Sequence, residues 1–275
     1  MRKIIIFGKK GFVANSLIKK LKTKKILFKS FSKKEINLEN KSSIKKIKRE
    51  VDQNSIVIFI SAIAPCKNIN QFKQNKKMAK NFIQATKKIN IFQLIYLSSD
   101  AVYSDSKKKI TETSKCQPDS YHGKMHLSRE KLFEKYFKDK ITILRPTLIY
   151  GKNDTHDGYG PNKFLRLIKE KKNIKLFGKG EELRDHISID DVVNLIILSL
   201  GKNLNEKINL VTGKTISFFN IAKHCIKKRK NCKIIFVKRN GPMPHNGLRK
   251  FDNKKIKNIF KNYTYQNIKT YIRNY

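Results

Sequence analysis

The stretch "KIIIFGKKGFVANSL", residues 3–17, decides the fold. It opens with a nearly continuous apolar run, the pattern of a strand buried on both faces. Gly8, Gly11 and Ala14 follow at G-x-x-G-x-x-A spacing, and Val13, Leu17 and Leu21 recur at four-residue steps, one apolar stripe of a helix. Strand, glycine turn and helix in this order predict a phosphate cradle. Gly8 permits the tight turn, Gly11 lets the backbone approach a pyrophosphate, and Ala14 lets helix and strand pack closely. Gly8, Gly11, Phe12 and Val13 are therefore the expected dinucleotide contacts.

Outward from this unit, further apolar runs lie at 25–31, 55–62, 91–99, 141–146 and 207–211, separated by helical patterns. Such alternation predicts an α/β fold, a Rossmann-type doubly wound parallel sheet, because crossovers between parallel strands are right-handed almost without exception. Residues 1–149 are expected to form the dinucleotide-binding core, rejoined by about 187–212. A smaller, sequence-discontinuous substrate lobe is expected over 150–186 and 213–275. Its first part begins with "YGKNDTHDGYGPN" (150–162), rich in Gly, Asn and Asp and long enough to predict a functional loop. His156 and Asp157 in that loop lack metal-ligand spacing and are given no ligand role. The turn-like "RNGPMPHNG" (239–247) is expected to close over a substrate.

The formal net charge is +42, but its carriers are mostly lysines spread along the whole chain of 275 residues. That distribution describes a solvated cationic surface and not a dedicated nucleic-acid site, although it attracts small anionic substrates. Cys66, Cys116, Cys225 and Cys232 show no C-x-x-C and no spacing with His, so reduced thiols and no metal site are expected. No apolar stretch reaches about 18 residues, so no membrane segment is expected and a cytoplasmic location is.

Near the end of the second strand an acid would bind the ribose of NAD. The sequence there offers Ser30, Ser32, Lys33 and Lys34, a hydroxyl and ammonium set that leans toward the 2′-phosphate of NADP.

With these residues in place, the chain resembles the extended short-chain dehydrogenase/reductase superfamily, in its NAD(P)-dependent nucleotide-sugar epimerase/dehydratase branch. "GKKGFVANSL" looks like the glycine motif, "YLSSDAVYS" (96–104) like the serine strand, "LRPTLIYG" (144–151) like the Arg-Pro…Tyr-Gly segment, and "RDHISIDDV" (184–192) like the Arg-Asp…Asp-Val motif. The resemblance implies hydride transfer at a sugar carbon with proton transfer at its oxygen by a Tyr. It implies a Lys beside that Tyr and a Ser matching Ser99. It adds Ser61, Ala62 and Pro146 as cofactor contacts and a homodimer through two helices. Asp100 resembles the acid of the dehydratases, but Ala101 stands where they place a Glu.

The Tyr-x-x-x-Lys pair itself is altered. Anchored on Pro118 and Glu130, the two positions hold His122 and His126; anchored on the visible aromatic, they hold Tyr121 and Met125, with Lys124 one residue short. Adjacent helical positions diverge by about 100°, so the registers exclude each other, and the sequence leaves both open. Histidine can exchange a proton near neutral pH. Asn162 at a helix start is expected to cap it or to bind a sugar hydroxyl, and Arg184 and Arg249 to clamp a diphosphate, with Asp185 or Asp191 as alternative partners for Arg184. The sequence thus points to an NAD(P)-dependent oxidoreductase or epimerase acting on a nucleotide-activated sugar for surface-polysaccharide synthesis. A non-catalytic dinucleotide-binding sensor or scaffold is the competing class, and an RNA-associated protein of the same fold the third.

Overall fold

The computed structural model describes residues 2–154, 158–227 and 231–275, so His156 and Asp157 lie outside the described residues. In chain order the elements are β1 (Lys3–Phe7), α1 (Phe12–Thr23), β2 (Phe28–Phe31), α2 (Ser43–Glu50), β3 (Ser55–Phe59), α3 (Ile69–Thr86), β4 (Gln93–Leu97), α4 (Tyr121–Phe137), β5 (Ile141–Pro146) and β6 (Leu148–Tyr150). There follow α5 (Pro161–Lys169), β7 (Ile174–Phe177), β8 (Leu183–Ser188), α6 (Ile189–Ser199), β9 (Lys207–Leu210), β10 (Thr215–Ser217), α7 (Phe218–Ile226), β11 (Ile234–Val237), β12 (Leu248–Arg249), α8 (Lys254–Ile259) and α9 (Ile268–Arg273).

Two compact units result. The first comprises residues 1–104, 114–146 and 193–209, and its six-stranded sheet runs β2-β1-β3-β4-β5-β9 with parallel pairing from β2 to β5. The strand order reverses between β1 and β3, the switch point where open α/β sheets bind ligands. The unbroken apolar runs of β1 and β3 are buried as such a covered sheet demands. Against one face of the sheet, Phe59 stacks 5.1 Å from both Phe82 of α3 and Phe133 of α4. The helix stripe Val13, Leu17 and Leu21 is buried as its spacing requires.

Several strands are shorter than their apolar runs; β4 keeps only Gln93–Leu97 of the run at 91–99. The run at 25–31 becomes strand only from Phe28, because the amides of Lys24 and Ile26 bond back to Lys20 and Leu21 and Lys25 is left-handed (φ 55°), closing the helix. The run at 55–62 ends at Phe59, and the Ile63 amide turns to the Asn75 side chain.

The second unit comprises 105–113, 147–192 and 210–275. Strand β8 pairs with β10, β12 and β6, β7 pairs with β11, and Phe164, Ile174, Leu176, Phe218 and Ile221 form the core. The division falls after Pro146 rather than after residue 149. Segment 105–113 also joins this unit, since Ile110 bridges to Phe251 and its amide bonds to Lys250.

Candidate active site

The site is built first from the turn after β1. Gly8 has φ +112°, and a Cβ on it would lie 2.8 Å from the Ser61 amide nitrogen, so only glycine fits between β1 and the chain leaving β3. The amides of Gly8 and Lys9 bond to the Phe31 carbonyl at 3.0 and 3.2 Å, which fixes the loop on β2. Gly11 caps α1 without a side chain, and the first turn holds no acid, so the helix N-terminus keeps its positive end open to an anion. Phe12 and Val13 are buried in the first turn of α1. These features fit a dinucleotide pyrophosphate. Of the other expected contacts, the Ser61 carbonyl accepts from Arg129 at 2.8 Å, Ala62 is exposed, and Pro146 is buried at the end of β5.

At the end of β2 two of the expected NADP-binding groups, Ser32 and Lys33, are engaged by carboxylates. Ser32 donates both its amide and its hydroxyl to Glu35 at 2.7 Å, and Lys33 pairs with Glu39 at 2.6 Å. The Ser32 amide, then its hydroxyl, holds the Glu35 carboxyl below its ordinary range. A 2′-phosphate would have to compete with these carboxylates, so Ser32 and Lys33 no longer carry a lean toward NADP. Glu35, three residues beyond Ser32, is a carboxylate of this region that the sequence reading does not single out.

Helix α4 starts at Ser120, whose hydroxyl accepts from the Gly123 amide. The two registers separate cleanly along it. Tyr121, 41% exposed, and Lys124 line a groove of about 400 Å³ with Ile69, Phe72, Pro118 and Leu127. His122 turns the other way: its Nδ1 accepts from the Cys66 amide, in the segment after β3, at 3.3 Å. His126 is 5% exposed, its ring 4.7 Å from that of His122, and its Nδ1 shares a 2.8 Å hydrogen bond with the Tyr96 hydroxyl on β4. Burial, then His122 and Arg129, hold the His126 pKa well below its ordinary value, so the ring is neutral. Met125 is buried. Cα packing explains the glycine between the histidines: a Cβ on Gly123 would meet the Ala101 carbonyl oxygen at 2.1 Å.

Ser99 leaves β4 and accepts from the Ala101 amide at 3.2 Å, capping a short 3-10 turn, with its hydroxyl 3.5 Å from the buried Asp100. Its neighbour Ser98 donates to Glu130 at 2.5 Å, and Glu130 takes two bonds from Arg145, at 2.9 and 2.5 Å. Arg145 also reaches the Tyr103 hydroxyl at 2.7 Å. This buried Glu–Arg pair ties α4, the Ser98–Ser99 segment and β5 together.

The residues expected to hold substrate all lie in the second unit. Asn162 does not cap α5, whose N-cap is Gly160; its amide group instead accepts from Gly151 at 2.9 Å and donates to Asp154 at 2.7 Å, pinning the loop after β6. Arg184 pairs with Glu182 at 3.0 Å, and not with Asp185 or Asp191, because Asp185 accepts from Thr212 and Gly213 while Asp191 accepts from Ser188 and Tyr263. Arg249 sits opposite Arg184 in the β12–β8 register and contacts Asp105 at 3.2 Å and His245 at 3.2 Å. Asp105 also binds His245, and His245, Asn246 and Gly247 are consecutive left-handed residues. Burial and then Arg184 lower the His245 pKa against the pull of Asp105.

The glycine turn at the switch point, the serine after β4 and the α4 face turned toward Cys66 together define a dinucleotide-binding protein of the Rossmann class. A profile of the NAD dependent epimerase/dehydratase family matches residues 4–211, and the chain belongs to that family. It is 29% identical over 155 residues to an uncharacterized UDP-glucose epimerase, YtcB, of Bacillus subtilis, a match covering 54% of this chain and 48% of that relative. The chain thus spans about half the length of that curated relative. Among solved structures, RMD from Pseudomonas aeruginosa complexed with NADPH superimposes with a TM-score of 0.85 at 16% identity, covering 99% of this chain and 97% of that one. UDP-glucuronic acid 4-epimerase from Bacillus cereus, in complex with UDP-glucuronic acid and NAD, superimposes with a TM-score of 0.79 at 19% identity, covering 98% and 96%. No described helix is long and apolar enough to cross a membrane.

Proposed function

We propose that the protein is an NAD(P)-dependent oxidoreductase or epimerase acting on a nucleotide-activated sugar whose product enters surface polysaccharide. The observation that carries the reading is His122, the α4 side chain tethered to the segment leaving β3. A nicotinamide dinucleotide bound at the glycine turn supplies hydride exchange with a sugar carbon. The Cys66 amide donates to Nδ1 of His122, so the neutral ring carries its proton on Nε2. Held in this tautomer, His122 donates a hydrogen bond from Nε2 to a substrate oxygen as charge develops on it, and the proton that this oxygen loses or gains in the hydride step passes to or from water. The Ser99 hydroxyl is a second donor for that oxygen. His126 stays neutral and bonded to Tyr96, so it adds no positive charge next to the cofactor site. Arg184 and Arg249, adjacent on β8 and β12, suit the diphosphate of the sugar nucleotide.

The apolar groove between α3 and α4 is the surface through which we expect two copies to associate. The experiment that tests the function is binding of NAD(H) and NADP(H) by calorimetry, followed by UDP-, GDP-, dTDP- and CDP-sugars on the loaded protein. Binding of a dinucleotide and one sugar nucleotide supports it; binding of the dinucleotide alone supports the sensor or scaffold reading.

A further inference from the structure

The second unit holds a pocket of about 750 Å³, bounded by the turn 212–215, the start of α7 and the segment 263–269. Neither Arg184 nor Arg249 lines it, so it is separate from the expected diphosphate clamp. His186 of β8 is among its lining residues and is 4% exposed, its ring packed edge to face on Phe218 at 5.7 Å. Nδ1 of His186 lies 3.1 Å from the Arg184 carbonyl oxygen, which can only accept, so Nδ1 carries the ring proton. Nε2 is then a bare lone pair. It is buried and has no hydrogen-bond partner among the described residues. Burial, then Arg184, push the His186 pKa down to about 3, so the ring does not answer this need by taking a second proton at neutral pH. A buried acceptor without a donor is uncommon in folded proteins and calls for a partner.

The rest of the pocket says what that partner carries. Lys214, Lys257 and Lys269 line it, and no carboxylate does. Asp185 and Asp191 are already bonded to Thr212, Gly213 and Tyr263. Burial, then Asp191, raise the Tyr265 hydroxyl above its ordinary pKa, so it remains a neutral O–H that can donate to an anion. Lysines alone mean little in a chain of net charge +42; the unpartnered acceptor beside them is what marks this pocket. Its size falls in the range of small-molecule sites, roughly 300–1,000 Å³. The imidazole requires a hydroxyl or N–H from the ligand, and the ammoniums require an anion. We propose that this pocket is a second ligand site that takes a phosphorylated, hydroxyl-bearing small molecule: a ligand hydroxyl donates to Nε2 of His186 while the phosphate meets Lys214, Lys257 and Lys269. The inference stands independently of the catalytic reading, which uses none of these residues.

The test separates the two requirements. Full-length protein labelled with ¹⁵N-histidine is titrated with sulfate, glucose, glucose 1-phosphate and uridine 5′-monophosphate. Long-range ¹H–¹⁵N correlation reads the His186 ring nitrogens, assigned by their loss in His186→Phe. In the free protein Nε2 is expected to be unprotonated. Glucose 1-phosphate or uridine monophosphate is expected to move it upfield, while sulfate, which has no donor, and glucose, which has no charge, leave it in place at the same concentration. Lys214→Gln with Lys257→Gln and Lys269→Gln, all exposed positions, is expected to weaken the response at least tenfold and to leave the free protein's His186 signals unchanged. Arg184 and Arg249 remain in that variant, so binding at the clamp is not what it removes. A stronger response to glucose 1-phosphate marks a sugar phosphate and a stronger response to uridine monophosphate a nucleotide, and either supports the proposal. A protonated Nε2 in the free protein, a nitrogen unmoved by all four compounds, an equal shift with sulfate or glucose, or a response that survives the triple substitution would each overturn it.

Discussion

His122 and His126 sit one helical turn apart and have unlike surroundings. The first accepts a backbone hydrogen bond and is half-buried; the second is enclosed and tied to Tyr96. His122→Phe is therefore expected to lower kcat by about 10²- to 10³-fold, the usual range for loss of a hydrogen-bond donor to developing charge, while Tyr121→Phe leaves kcat within about twofold. Steady-state rates on the two variants check this. Gly123 gives a packing test of the same helix. Alanine normally favours a helix interior over glycine by about 0.5–1 kcal/mol, but here its methyl would strike the Ala101 carbonyl. Gly123→Ala is expected to destabilise by about 1–3 kcal/mol, read from urea unfolding. His186 supplies a pH test. Burial, then Arg184, push its pKa down to about 3, whereas the unfolded chain titrates near 6.5. Between these values the unfolded state binds the extra proton. The stability that depends on a neutral His186 is thus complete above pH 6.5 and is lost as the pH falls toward 3, with a slope of up to about 1.4 kcal/mol per unit. His126 adds in the same direction. Unfolding titrations at several pH values should show a shallower acid loss in His186→Phe than in the parent protein.

At the scale of elements, the core strands were legible because each is an apolar run between turn signals, and the run at 141–146 coincides with β5. What the sequence could not show is which partners meet across elements. Glu130 and Arg145 are 15 residues apart on a helix and a strand, and nothing in either segment announces a buried pair that also gathers Ser98 and Tyr103. Glu35 escaped for a related reason: it reaches back to the Ser32 amide from beyond the strand end, where composition reads only as lysine-rich loop. Removing one member of the Glu–Arg pair strands a buried charge. Glu130→Ala is expected to cost about 3–5 kcal/mol, measured by chemical denaturation. Because Glu130 fixes both α4 and the Ser98–Ser99 segment, milder Glu130→Gln should lower kcat more than it raises KM.

For the whole molecule, the glycine turn gave the dinucleotide fold from a single stretch, since Gly8 answers a backbone constraint that no other residue satisfies. The substrate end was less legible. Asn162, Arg184 and Arg249 stand out in the sequence by residue type alone, and each has an internal partner in the fold. Arginine type alone does not tell an ion pair from a ligand clamp. The α3–α4 groove carries the assembly expectation: Leu127→Glu should shift sedimentation from a dimer to a monomer without loss of helical content. The most direct measurement is the absorbance of the cofactor after mixing dinucleotide-loaded protein with UDP-, GDP-, dTDP- and CDP-activated sugars in a single turnover. The account predicts a change with one of these sugars in the parent and in Tyr121→Phe, and a change slowed at least a hundredfold in His122→Phe. Binding of both ligands with no absorbance change in the parent protein would contradict it.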